Sequence, residues 1–134
     1  MRKSRTTALM AVALAVLSFL VAACGSSSDK GTGSTTVTFK TGQPVHITAS
    51  EYKFKPADIV VQGGGTTKFE LENKGSLAHN LRVMENGADI GGTPTFQGGE
   101  TKSANVALRT GEYTLVCTVG DHANLGMTAQ LIVK

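Results

Sequence analysis

From about residue 45 to the C-terminus, apolar and polar side chains alternate along most of this chain. Thr67, Phe69 and Leu71 interleave with Lys68, Glu70 and Glu72, giving one apolar face and one charged face. The same period of two runs through Ala104, Val106 and Leu108, through Tyr113, Leu115 and Cys117, and through Ala129, Leu131 and Val133. That period marks half-buried strands, because successive side chains of an extended chain leave opposite faces. Val45 to Ala49, Ile59 to Val61 and Leu81 to Val83 supply further strands. No segment carries a convincing helical stripe, and no internal repeat is visible. Turn signals separate the strands at Gly63-Gly64-Gly65, Lys74-Gly75, Asn86-Gly87, Gly91-Gly92, Gly98-Gly99 and Thr110-Gly111. The stretch from Asp89 to Gly98 is irregular and is expected to be a loop or a short helical turn. About seven to eight short strands so spaced predict an all-β sandwich.

The N-terminus breaks the pattern. Arg2, Lys3 and Arg5 precede an almost unbroken apolar run from Ala8 to Ala23. The run is shorter than the roughly 20 residues a spanning helix needs. Residues 1–23 are therefore expected to be a secretory signal peptide. The small residues Val21, Ala22 and Ala23 before Cys24 resemble the lipobox of bacterial lipoproteins. That resemblance implies cleavage before Cys24 and a lipid on its sulfur. The alternative is a single uncleaved membrane anchor. Both readings put the domain outside the cytoplasm, at the periplasmic side or cell surface, tethered to a membrane. With no Arg-Arg pair near the start, export in the unfolded state is expected, with any metal loaded afterwards. Residues 24–36 then form the lipidated cysteine and a Gly/Ser/Thr-rich tether with a mean reach of about 20 Å. Residues 37–134 are enough for one domain with one core.

Setting the leader aside changes the charge. The chain has 13 Lys+Arg and 10 Asp+Glu, and three of the basic residues belong to the leader. The remainder is formally neutral, which removes the only support for nucleic-acid binding. A lipid on Cys24 also removes it from disulfide chemistry. Cys117 is then a lone thiol in an oxidising compartment, either a buried small hydrophobe or a ligand.

Its neighbours favour a ligand. Cys117, His122 and Met127 place a thiolate, an imidazole and a thioether within eleven residues. Copper suits such a set, and two His with one Cys in a plane, plus a weak axial Met, is the blue-copper arrangement. His79 is available upstream as the second imidazole. Met84 is the obvious rival to Met127, and Asp121 could be imagined as an oxygen ligand. His46 sits in an early strand with no ligand partner nearby.

Three segments carry a family resemblance: Glu51 to Val61 (EYKFKPADIVV), Asn73 to Leu81 (NKGSLAHNL), and Gly111 to Cys117 (GEYTLVC) on through Met127. Over nearly all of residues 45–134 the chain resembles the cupredoxins, small blue copper proteins such as plastocyanin and azurin. The resemblance implies a Greek-key β-sandwich or barrel and one copper ion cycling between Cu(I) and Cu(II). It implies His79, Cys117 and His122 as equatorial ligands and Met127 as the axial one. It further implies a bond from Asn80 to Thr118, and a weak approach by the Ala78 carbonyl opposite Met127. The chain departs from the family pattern in having Gly120-Asp121 before the second His, where Pro-Gly is common. It has Val116 where plastocyanins often place Tyr, and no counterpart of the azurin disulfide.

The function expected is one-electron transfer by a tethered monomer. Redox partner proteins would dock transiently near His122, through an apolar rim of Leu77, Ala123, Leu125 and Gly126. Copper binding for storage or delivery is the alternative, though the Met- and His-rich tracts suited to delivery are absent. An enzyme of the nitrite reductase or multicopper oxidase kind needs further copper sites, and three histidines with no His-x-His cannot supply them. A metal-free adhesive sandwich leaves the four-residue constellation unexplained.

Overall fold

The computed structural model describes residues 35–134. The expected signal peptide (1–23), Cys24 and nearly all of the expected tether lie outside the described residues. Among the described residues there are ten strands in two sheets and no helix. They are β1 (Thr36–Lys40), β2 (Val45–Ser50), β3 (Lys53–Lys55), β4 (Asp58–Gln62), β5 (Gly65–Asn73), β6 (Arg82–Glu85), β7 (Ala88–Gly92), β8 (Thr101–Leu108), β9 (Gly111–Val116) and β10 (Thr128–Val133).

One sheet has the order β1-β4-β10-β9-β6-β7, the other β3-β2-β5-β8. Both are mixed. β4 pairs in parallel with β1 and with β10, and β2 pairs in parallel with β5. The remaining pairings are antiparallel, including β10 with β9 (Leu131 opposite Tyr113) and β6 with β9 (Val83 opposite Leu115). The alternation read from sequence sets which faces meet. Val45, Ile47, Ala49, Phe69, Leu71, Val106 and Leu108 of one sheet are buried against Ile59, Val61, Val83, Tyr113, Leu115, Leu131 and Val133 of the other. Burial of each large aliphatic side chain contributes about 1.5–3 kcal/mol. Tyr113 keeps its hydroxyl satisfied at the core's edge: it donates to the Arg109 carbonyl and accepts from the Arg109 N–H, both at 3.0 Å.

The seven strands read from alternation are all present, and three more join them. β1 is an edge strand with no fully buried position, so its pattern carries little periodic signal. It begins at Thr36, inside the stretch expected to be tether. β3 has three residues, of which only Phe54 is buried. β7 replaces the loop or helical turn expected from Asp89 onward. It pairs with β6 across a tight turn in which Asn86 (φ 49°) and Gly87 (φ 82°) both take the left-handed conformation that such hairpins require. The Asn86-Gly87 pair was therefore a hairpin signal as well as a turn signal. Alternation failed here because β7 has no buried position.

Candidate metal centre

Two segments meet at one end of the sandwich. The first crosses from β5 to β6. His79 lies in it, three residues before β6. Its backbone instead makes an isolated bridge with Phe96: His79 N–H donates to the Phe96 carbonyl at 3.1 Å, and Phe96 N–H to the His79 carbonyl at 3.0 Å. Asn73 seals this turn from inside. Its fully buried amide donates to the carbonyls of Leu77 (2.9 Å) and Phe96 (3.3 Å), while its oxygen accepts the Gly75 N–H at 3.0 Å.

The second segment joins β9 to β10. Cys117 is the residue just past β9 and continues the inward series of Tyr113 and Leu115, fully buried. His122 follows a turn in which Gly120 has φ +47°, a conformation that other residues rarely adopt. His122 N–H donates to the Val119 carbonyl at 3.1 Å, and its own carbonyl accepts from Met127 N–H at 3.0 Å. Cys117 N–H then donates to the Met127 carbonyl at 3.1 Å, which closes the loop. Met127 is fully buried and so bonded to both Cys117 and His122 through its backbone.

These turns bring three donors together. Nδ1 of His79 and Nδ1 of His122 lie 3.2 Å apart. Cys117 Sγ lies 3.5 Å from His122 Nδ1 and 3.9 Å from His79 Nδ1. Imidazole and thiolate bind first-row metals at about 2.0–2.3 Å, so a trigonal site spaces its donors by about 3.5–3.8 Å. The triangle therefore fits one metal ion. Burial pushes the pKa of His79 down, and neighbouring His122 adds to this, while Glu51 opposes both. A neutral imidazole with a free lone pair is the form that binds a metal.

Asn80 lashes the two segments to each other. Its oxygen accepts the Thr118 N–H at 2.8 Å, and its amide donates to the hydroxyls of Thr118 (2.9 Å) and Thr95 (3.1 Å). Ala78 is half-buried beside His79. The other candidates lie apart from the triangle. Met84 follows core-facing Val83 on β6 and lines an outer surface cavity with Asn86, Glu112 and Val116. Asp121 is exposed and accepts a bond from Asn124 at 3.0 Å. His46 is exposed, with Nδ1 2.9 Å from the Glu70 carboxylate.

The family model for the cupredoxin-like domain matches residues 10–133. The chain belongs to the cupredoxin-like domain family. No curated protein matches this cupredoxin significantly. Among solved structures it is similar to reduced auracyanin of Roseiflexus castenholzii, at 17% identity and TM-score 0.61, over 68% of this chain and 96% of that one. It is similar to rusticyanin of Thiobacillus ferrooxidans, at 21% identity and TM-score 0.61, over 78% and 85%. It is also similar to auracyanin A of Chloroflexus aurantiacus, a "blue" copper protein, at 22% identity and TM-score 0.57, over 69% and 100%. These likenesses show a shared fold. The family together with the His79, Cys117 and His122 donors, with Met127 against them, supports one copper ion as the cofactor.

The sequence reading missed Glu51 and Tyr52, which lie in the turn between β2 and β3. The Tyr52 ring meets the His122 ring edge-on, with centroids 4.9 Å apart. The Leu77 N–H, and with it those of Glu51 itself and Ser76, holds the Glu51 carboxyl down at about 2. Both residues fell within the family-like segment from Glu51 to Val61, but no local spacing ties them to a histidine.

Proposed function

We propose that this cupredoxin is a one-electron carrier, exported and held by a lipid on Cys24 at the extracytoplasmic face of a membrane. The observation that carries the redox reading is the triangle of His79 Nδ1, His122 Nδ1 and Cys117 Sγ, with separations of 3.2, 3.5 and 3.9 Å. Bound copper supplies a couple between Cu(II) and Cu(I). His79, Cys117 and His122, with Met127 beside them, would hold it. Asn80, bonded to Thr118 and Thr95, keeps the two donor segments from separating. A cage built this firmly lets little move when the charge changes, which suits fast transfer.

The roles of the side chains differ. Cys117, His79 and Met127 are fully buried and keep water out. His122 is only partly buried and brings the donor set to the surface. Around that end, Leu77 (42% exposed) and Leu125 (57% exposed) are two of the three large apolar side chains exposed among the described residues. A redox partner docks on this small apolar patch through a weak, brief contact. With every donor position taken by the protein, no place is left for a substrate, so the reading is a carrier and not an enzyme. A copper nitrite reductase of Thermus scotoductus shares the fold over only 22% of its own length.

The test is titration of the chain from Gly25 onward with Cu(II). An intense blue thiolate-to-copper absorption at one ion per chain is expected, lost in Cys117→Ser, with reversible one-electron voltammetry. A colourless wild type, or a blue Cys117→Ser, refutes the reading.

A further inference from the structure

Glu51 stands in the turn between β2 and β3, far in sequence from the donor segments. Its Oε1 accepts the N–H of Ser76 at 2.7 Å and of Leu77 at 2.8 Å. The Ser76 hydroxyl adds a weaker contact at 3.4 Å. The same oxygen lies 3.7 Å from Nε2 of His79. That nitrogen is buried and has no hydrogen-bond partner among the described residues. The separation is too long for a hydrogen bond, so the attraction is that of a carboxylate for an N–H dipole.

The seat of this carboxylate is shaped for it. A Cβ on residue 75 would stand 2.5 Å from Glu51 Oε1, so glycine there leaves room for the carboxylate in this position. His79 turns its other nitrogen, Nδ1, into the donor triangle. A ring that gives Nδ1 to a metal carries its proton on Nε2, and Glu51 is the acidic group placed to meet that proton.

We propose that Glu51 is a positioning residue for His79: it faces Nε2–H, fixes the tautomer that presents Nδ1 to the metal, and by its negative charge favours the oxidised over the reduced site. The inference rests on the copper reading above and deepens it. An outer carboxylate on a ligating histidine raises the ring's basicity and steadies its orientation. Here the same oxygen also fastens the Ser76 and Leu77 backbone, so ring and loop are held from one point.

The variant that separates charge from scaffolding is Glu51→Gln, which keeps an oxygen for the Ser76 and Leu77 N–H groups. In the copper-loaded chain, we expect Glu51→Gln to bind one copper, stay blue and show a higher midpoint potential by voltammetry. A change of about tenfold in the relative stability of the two oxidation states corresponds to about 59 mV. A blue Glu51→Gln at the wild-type potential overturns the role. Should the variant not fold, Gly75→Ala decides, since its Cβ would stand 2.5 Å from Glu51 Oε1 and push the carboxylate from its seat. A raised midpoint potential in the blue variant is the result expected, and an unchanged one overturns the role. A wild type that stays colourless with Cu(II) removes the copper reading and this inference together. A blue wild type with an unshifted variant removes only the role of Glu51.

Discussion

Asn80 makes three side-chain hydrogen bonds, and two of them reach Thr118, next to the thiol it helps to place. Removing it loses all three bonds, each worth about 0.5–1.5 kcal/mol net, and leaves the N–H of exposed Thr118 to water. Asn80→Ala is thus expected to lower the stability of the metal-free protein by that order, measured by urea unfolding. Its copper-loaded form should show a broadened blue band, since Cys117 and His79 are no longer fixed relative to each other. An unaltered band and midpoint would mean that Asn80 braces nothing. At this scale the sequence was partly legible. Cys117, His122 and Met127 could be paired with copper from their chemistry and close spacing, and Asn80 and Thr118 entered through family likeness. Glu51 could not be read, because the distance that gives it meaning spans the β2–β3 turn and the β5–β6 crossing. Asn73 entered only as the first residue of a family-like segment, since nothing local shows that its amide is buried.

At the scale of elements, the β6–β7 hairpin is the edge that alternation did not find. Its exposed side is held by Arg82, whose guanidinium donates to both carboxylate oxygens of Asp89 at 2.8 and 2.9 Å and to the Thr93 carbonyl at 3.2 Å. The Arg82 guanidinium, and after it the Gly91 N–H, holds the Asp89 carboxyl below its usual value of 3.8. A carboxylate with a lowered folded-state pKa stabilises the fold above its unfolded pKa, and that contribution is lost as the pH falls through the folded one. The pair is therefore at full strength near pH 7 and fades below about pH 4. Asp89 is 42% exposed, so solvent screening keeps its worth below about 1 kcal/mol. Asp89→Asn is expected to cost that little at pH 7 and nothing in strong acid, by thermal unfolding at the two pH values. A loss of several kcal/mol at pH 7 would show that the edge depends on this pair. The well-read strands are those with one buried face, as in β5 and β9. β1, β3 and β7 were invisible because an edge strand or a three-residue strand presents no two-sided contrast to detect.

At the scale of the whole molecule, the donor set joins the two sheets. His79 stands on the crossing from β5, in the four-stranded sheet, to β6, in the six-stranded one. Cys117, His122 and Met127 bracket the β9–β10 connection within the six-stranded sheet. An ion held by all of them binds the folded chain and not the unfolded one, so it stabilises by mass action, about 4 kcal/mol at a thousandfold excess over the dissociation constant. Copper is expected to raise the melting temperature, and a chelator to reverse the gain. Cys117→Ser should show a much smaller rise. A melting temperature indifferent to copper would mean that the triangle does not hold it.

The burial of Cys117 has one more consequence, for shelf life. Its sulfur has no exposed surface, and the chain around it is tied by the Met127 carbonyl and by Asn80 through Thr118. Peroxide or a second molecule's thiol can reach it only when the β9–β10 connection opens. The ageing of metal-free protein is then timed by that opening and not by collision with the oxidant. A metal-free chain can wait for its metal with the thiol intact.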